Sequence, residues 1–165
     1  MLGSLTLETW EIALFAGLGV LFAGGLLVIA RWSQTRPALL AAYALIAVSF
    51  LYVGFAGRAE ESGAWVGFEM TGVAFFGTLA GLGIIRSPWF VVAGLALHPV
   101  WALYIHYYGA GRDFAPAPFV WATAGFDAAA ALVVAFLVLR QQNTADAPAP
   151  DAKASRTRGR KGSAR

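Results

Sequence analysis

The stretch Pro88–Gly109, PWFVVAGLALHPVWALYIHYYG, decides the fold of this chain. It contains no Asp, Glu, Lys or Arg and is long enough to cross the apolar layer of a bilayer as a helix. It also carries the two histidines of the chain, His98 and His106, with Pro99 near its middle. Ionisable side chains are costly inside a membrane and usually have a function there. The stretch therefore predicts a membrane span that carries a functional site.

The composition of the whole chain agrees with a membrane protein. Apolar residues make up 59% of it and charged residues 13%, whereas a soluble domain is about a quarter charged. There is no cysteine, which excludes disulfides, thiolate metal sites and cysteine nucleophiles. No basic residue precedes the first apolar run, so the first span is predicted to be retained and not cleaved as a signal peptide.

Five uncharged or nearly uncharged runs, separated by short polar segments, predict an all-α membrane protein with a bundle of five transmembrane helices. The predicted spans are residues 9–30, 37–56, 65–85, 88–109 and 119–139. Together they form one bundle over residues 1–140. The remaining segment, residues 141–165, is rich in Ala, Pro, Ser and Arg without an apolar period, and is predicted to be a disordered basic cytoplasmic tail.

The basic residues orient the bundle. If the five spans alternate in direction, ten of the twelve Lys and Arg residues fall on one face, and only Arg58 and Arg112 fall on the other. Basic residues are enriched on the cytoplasmic side. The N-terminus is therefore predicted to lie outside and the C-terminus in the cytoplasm, as expected for a multi-pass protein of the inner (plasma) membrane.

Four ionisable side chains lie within the predicted spans and fall at two depths. At 1.5 Å per residue, His98 and Asp127 lie roughly 16 and 15 Å below the outer ends of their spans. Glu69 and His106 lie about 5–8 Å below the outer surface on the same rise. Side chains at equal depth on neighbouring helices are able to meet. The depths predict a His98–Asp127 pair and, nearer the outer surface, a His106–Glu69 pair.

Helical phase separates the two histidines. On an ideal α-helix His98, Trp101 and Ile105 share a face, whereas His106 is about 80° round from His98. This argues against one metal ion bound by both histidines, and no metal site is predicted. Pro99 removes the helical hydrogen bond to the carbonyl of Leu95 and is predicted to open space beside His98.

Small residues are frequent in the spans and predict close helix packing. The positions that indicate it are Gly77 and Gly81, which form a GxxxG, and Gly17, Gly24 and Gly25 in the first span. Packing between two copies of the chain, giving a homo-oligomer, is left open as an alternative.

The segment AGLGIIRSPWFVVAGLALHPVWALYIHYYG, with FAPAPFVWATAGFDAAAA after it, resembles a family of small bacterial integral membrane proteins classed as a domain of unknown function. One span of that family carries His-x-x-Trp-Asp-x-x-His-His, with a Pro-rich loop and an Asp in the last span after it. His98, Trp101, His106 and Asp127 match this pattern, whereas Ala102 and Ile105 stand where it has Asp and the first paired His. The resemblance covers about the C-terminal two-thirds of the chain. It implies the fold and the site but no activity.

These observations predict a membrane protein that binds a small apolar ligand or a cofactor of unknown identity in a pocket of the outer half. The predicted lining residues are Glu69, His98, Trp101, His106 and Asp127, of which Glu69, Trp101 and His106 are the expected ligand contacts. One alternative is a membrane enzyme with His98 and Asp127 as its catalytic acid–base pair. Further alternatives are a proton conductor and an accessory subunit without chemistry. Membrane lipids are expected partners, and nucleic acid is not.

Overall fold

A computed structural model describes residues 7–145, and every regular element in that range is a helix. The five long helices are α1 (Thr9–Trp32), α2 (Pro37–Ala56), α3 (Ser62–Ile85), α4 (Trp89–Ala102) and α5 (Ala117–Ala145). A π-helical turn, Leu103–Tyr107, continues α4, and a short 3₁₀ turn, Ala110–Asp113, follows it. With the π turn counted as part of α4, all five helices are long and apolar enough to cross a membrane.

The bounds agree closely with the predicted spans, apart from α5. This helix continues through residues 141–145, which the sequence analysis assigned to the tail. Gln, Ala and Arg are good helix formers, and the hydroxyl of Thr144 donates a hydrogen bond of 2.8 Å to the carbonyl of Arg140. The rest of the predicted disordered tail, residues 146–165, lies outside the described residues.

Local sequence explains how the helices begin and end. Pro37 is the first residue of α2, where its fixed φ favours a helix and its missing N–H is not needed. At the start of α1 the carboxylate of Glu11 accepts a hydrogen bond of 2.8 Å from the backbone N–H of Glu8. Between α1 and α2 the chain reverses through Gln34, whose φ of 56° is left-handed. The short connections make sequential helices antiparallel.

The helices do not pack in simple sequence order. The main contacts are α1 with α5, α2 with α3, and α4 with both α5 and α3. Phe55 at the end of α2 contacts Phe119 at the start of α5, and Trp65 at the start of α3 contacts Phe114 before α5. We call this end of the bundle, where α1, α3 and α5 begin and α2 and α4 end, the histidine end.

Two apolar clusters form the core. The larger one contains Leu45, Phe76, Val91, Leu95 and Val134, and it extends from the middle of the bundle to the end opposite the histidine end. The smaller cluster lies at the histidine end around Tyr52 and Val120. Many large apolar side chains face outward instead, including Leu21, Phe22 and Trp32 on α1. Such outward apolar faces are expected where lipid surrounds the helices.

Close packing of α1 on α5 depends on two glycines that the sequence analysis did not select. A Cβ at Gly19 would overlap the carbonyl oxygen of Ala122 and lie 2.6 Å from the amide nitrogen of Phe126. A Cβ at Gly125 would overlap the carbonyl oxygen of Ala16. The two backbones therefore touch at this crossing.

The glycines that the sequence predicted to pack closely against other helices do not do so within the described bundle. A Cβ at any of them would meet nothing within 4 Å among the described residues: Gly17, Gly24, Gly25, Gly77 and Gly81. An added Cβ at each of these glycines would therefore meet open space and not another helix of the described bundle. The sequence shows where small residues occur but not which of them faces another helix.

Candidate functional site

The centre of the bundle holds the predicted pair of His98 and Asp127, which is in direct contact. Nδ1 of His98 lies 2.6 Å from Oδ2 of Asp127, and the side chains are only 1% and 0% exposed. When the Asp127 carboxylate is ionised it accepts this hydrogen bond, and Nδ1 of His98 is then the protonated donor. The other carboxylate oxygen, Oδ1, is buried without a hydrogen bond among the described residues. The equal depths of the two residues had predicted this contact, and the structure confirms it.

The second predicted pair is adjacent but is not hydrogen bonded. Nε2 of His106 lies 3.5 Å from Oε1 of Glu69, with both side chains buried. These two atoms and Nδ1 of His106 have no hydrogen bond to any described residue. An unsatisfied buried polar group costs about 1–3 kcal/mol. This pair therefore has unused capacity to bind a polar group.

Tyr52 of α2 lies between the two histidines. Its ring stacks on that of His106, with centroids 4.3 Å apart and an angle of 15° between the planes. The centroid of His98 is 5.8 Å away from the Tyr52 centroid. The Tyr52 hydroxyl lies 3.0 Å from Oγ1 of Thr123, which in turn donates to the carbonyl of Val120. A single aromatic ring thus joins the two ionisable pairs into one polar cluster.

The π turn explains how both histidines reach the same tyrosine. The backbone N–H of Tyr108 donates to the carbonyl of Leu103, five residues earlier, at 3.0 Å. A π turn acts as one extra residue in an α-helix, so the eight residues from His98 to His106 rotate as seven, leaving the histidines about 20° apart. The predicted offset of about 80° is therefore wrong, and Ile105 turns away from the His98 face.

Trp101 closes the polar cluster on one side. Its indole stacks on Phe68, with centroids 5.1 Å apart, and packs at a steep angle on Phe76. Gly72 makes room for it, because a Cβ there would lie 3.3 Å from the indole ring. The space that Trp101 encloses with Ser49, Tyr52, Glu69 and His98 is too small for a water molecule. We call this space the inner gap.

A much larger groove lies on the other side of the Phe68–Trp101 stack, at the histidine end. Its volume is about 610 Å³. The first two turns of α3 form one wall and the π turn with the residues after it forms the other. The lining residues are Glu61, Ala64, Trp65, Phe68, Tyr104, Ile105, Tyr108, Gly109 and Ala110. The groove is open to the surface and mostly apolar.

The structure therefore brings all five predicted site residues into one region, but in two arrangements. Glu69, His98 and Trp101 border the inner gap, whereas His106 and Asp127 are buried against Tyr52 and His98. None of the five predicted residues lines the groove, so the predicted ligand contacts Glu69, Trp101 and His106 do not belong to it. In the described part of the chain, no three Asp, Glu or His side chains are grouped so that they could hold a metal ion. The ionisable residues instead form two separate pairs.

Two contributors were not singled out from the sequence. Tyr52 was not selected from the sequence, although it is the contact between the two pairs. Phe76, whose ring packs edge-on against His98 at 4.8 Å, was not named. The period of the apolar residues could not identify either one, because the α2 and α3 sequences are apolar on all sides.

No protein-family model matches the chain, and neither the curated proteins nor the solved structures gave a match.

Tyr52→Phe should lower the free energy of unfolding by about 1 kcal/mol, because it removes the buried hydrogen bond to Thr123. Tyr43→Phe on the same helix is the matched control, since the Tyr43 side chain is 57% exposed. Denaturation in detergent, followed by helical circular dichroism, measures both variants. Equal stability of the two variants would show that the Tyr52 hydroxyl contributes nothing.

Proposed function

We propose that this chain is a multi-pass protein of the bacterial inner membrane that binds a small ligand with an apolar body in the groove. The N-terminus and the histidine end lie outside, and the C-terminus lies in the cytoplasm. Five helices of spanning length support the membrane location. The uneven distribution of Lys and Arg supports the orientation. Membership of the bacterial family that the sequence resembles is part of the same proposal.

The observation that carries the proposal is the groove beside the buried polar cluster. Its volume of about 610 Å³ falls within the range of roughly 300–1,000 Å³ typical of small-molecule sites. Aromatic and aliphatic side chains line most of it, as in such sites. Phe68, which lines the groove, stacks on Trp101, which borders the inner gap. Glu69, whose Oε1 is buried and unpaired among the described residues, borders the inner gap and not the groove.

Filling the groove should abolish ligand binding. Ala64→Trp places an indole inside the groove, because Ala64 is one of its lining residues. Ala74→Trp adds the same side chain on an exposed face of the same helix, outside the groove. We expect small molecules extracted from the purified wild type and from Ala74→Trp to be the same by mass spectrometry, and to be depleted at least about tenfold in Ala64→Trp.

If wild type, Ala64→Trp and Ala74→Trp melt alike and release the same molecules in the same amounts, the groove is not a ligand site. A wild type that carries no extractable molecule, with His98 variants that keep their fold and every cellular phenotype, would favour an accessory subunit in which the polar pairs only fix the packing.

A second candidate function is catalysis by His98 and Asp127. The observation that favours it is the 2.6 Å contact between Nδ1 of His98 and Oδ2 of Asp127, which orients the imidazole ring as in a catalytic acid–base pair. Asp127→Asn distinguishes the two functions. A binding protein releases the same molecule from wild type and variant, whereas an enzyme releases its product from the wild type and its substrate from the variant.

A further inference from the structure

The charge of the groove indicates what kind of head group it accepts. Among the nine lining residues, Glu61 is the only one that is charged at neutral pH, and none is basic. An anionic head group would therefore meet a carboxylate and no compensating cation in the groove. Arg112, at the same end of the bundle, is 3.9 Å from Asp113 and is not a lining residue. A cationic group is thus favoured over an anionic one.

The position of Glu61 leaves its carboxylate available. Glu61 is the residue that precedes α3, where acidic residues often cap the helix. Among the described residues, however, its side chain makes no capping hydrogen bond. The side chain is exposed and borders the groove. It therefore has an oxygen pair free for a ligand at the rim of an otherwise uncharged cleft.

Aromatic rings supply the second element of recognition. Trp65 and Phe68 line one wall and Tyr104 and Tyr108 line the other, and the two tyrosines are 72% and 69% exposed. A cation within about 6 Å of an aromatic centroid is attracted by the negative face of the ring, and several rings together recognise alkylated ammonium groups. Trp and Tyr are also typical of the head-group level of a bilayer. A carboxylate beside several aromatic rings at that level suits an alkylammonium group better than a neutral one.

We infer that the groove binds a lipid whose head group carries an alkylammonium, with the ammonium beside Glu61 and the aromatic rings and the acyl chains along the apolar walls. This inference rests on the proposed function and specifies its ligand. Lipid is the committed occupant because Phe68 and Tyr104 are themselves exposed on the outer surface of the bundle, so that the groove is continuous with the face that acyl chains cover.

Three lipids with identical chains test the inference on the wild-type protein. Dioctanoyl phosphocholine carries the ammonium, dioctanoyl phosphoglycerol carries the phosphate without it, and dioctanoylglycerol carries neither. Titration into the protein in maltoside micelles, followed by native mass spectrometry, gives the three affinities. We expect phosphocholine to bind about tenfold more tightly than either of the others, which corresponds to one good cation–π or charge contact.

Two variants with the same change of charge test the role of Glu61. In Glu61→Gln we expect the preference for phosphocholine to disappear. In Glu60→Gln, one residue away and outside the groove, we expect it to persist. The comparison among lipids needs only the wild type, so the inference can be tested even if Glu61→Gln does not fold.

The results distinguish a wrong choice of head group from a wrong choice of binding site. Equal affinity for all three lipids, lost in Ala64→Trp, would overturn the ammonium inference while the groove remains a binding site. A preference for phosphoglycerol would also overturn it. Binding of all three lipids that is unchanged in Ala64→Trp would overturn the groove as a binding site altogether.

Discussion

His98→Ala and Asp127→Ala should each lower the free energy of unfolding by about 3–5 kcal/mol, the usual cost of removing one partner of a buried ion pair. Either change leaves the other residue buried at the centre of the bundle without its 2.6 Å contact. In His98→Ala, neither carboxylate oxygen of Asp127 has a hydrogen bond from a described residue, because Oδ1 already lacks one in the wild type. The two losses should nevertheless be similar, since both variants break the same contact.

The double variant identifies the interaction. If the residues stabilise the bundle through their contact, the combined loss is smaller than the sum of the single losses by about 1–3 kcal/mol. Denaturation of the four proteins in one detergent measures the cycle. Leu97→Ala, on an exposed position of the same helix, controls for the general effect of truncation on α4. Additive losses would mean that each residue acts through other neighbours.

Gly19→Val should lower the free energy of unfolding by about 3 kcal/mol, at the upper end of the cost of overpacking. The first atom of the new side chain would already overlap the backbone of α5 at Ala122. Backbone atoms in a helix cannot rotate away as a flexible side chain does. The variant must therefore move α1 away from α5, the helix on which it mainly packs.

Gly17→Val is the matched control, since it makes the same change on the same helix where nothing lies within 4 Å of the new Cβ. Both variants alter the intrinsic helix propensity equally, so the difference between them reports only the contact with α5. Thermal melting in detergent measures that difference. Gly19→Val and Gly17→Val with equal melting temperatures would contradict the close crossing of α1 and α5.

The sequence predicted distances along the helices better than rotations about them. The rise per residue is nearly the same in every helix, so the equal depth of His98 and Asp127 was enough to predict their contact. The rotation of His106 depended on the hydrogen bond from Tyr108 to Leu103, and nothing in the composition of LYIHY distinguishes a π turn from an α turn. One changed hydrogen bond was sufficient to make the predicted phase wrong.

The sequence also did not show which side of each apolar helix faces the interior of the bundle. In a soluble bundle, polar residues mark the outside of each helix, but here both the inside and the outside are apolar. Gly19 and Gly24 therefore look equivalent in the sequence, although only Gly19 faces another helix. The same ambiguity hid Tyr52, which differs from the exposed Tyr43 only by its position on α2.

The extra residue in the turn Leu103–Tyr107, which continues α4, places His106 against Tyr52 while Ile105 lines the groove. If the same sequence formed a plain α-helix, each side chain from Ile105 onward would be turned by about 100°, so that Ile105 would take the place that His106 has against Tyr52. Deleting one residue between Ala102 and His106 should instead be tolerated, because the histidines are then seven α-helical steps apart and His106 keeps its place against Tyr52. Deletions are usually tolerated only in loops, but here a deletion within a helix would convert the π turn to an α turn and preserve the neighbours of the later side chains.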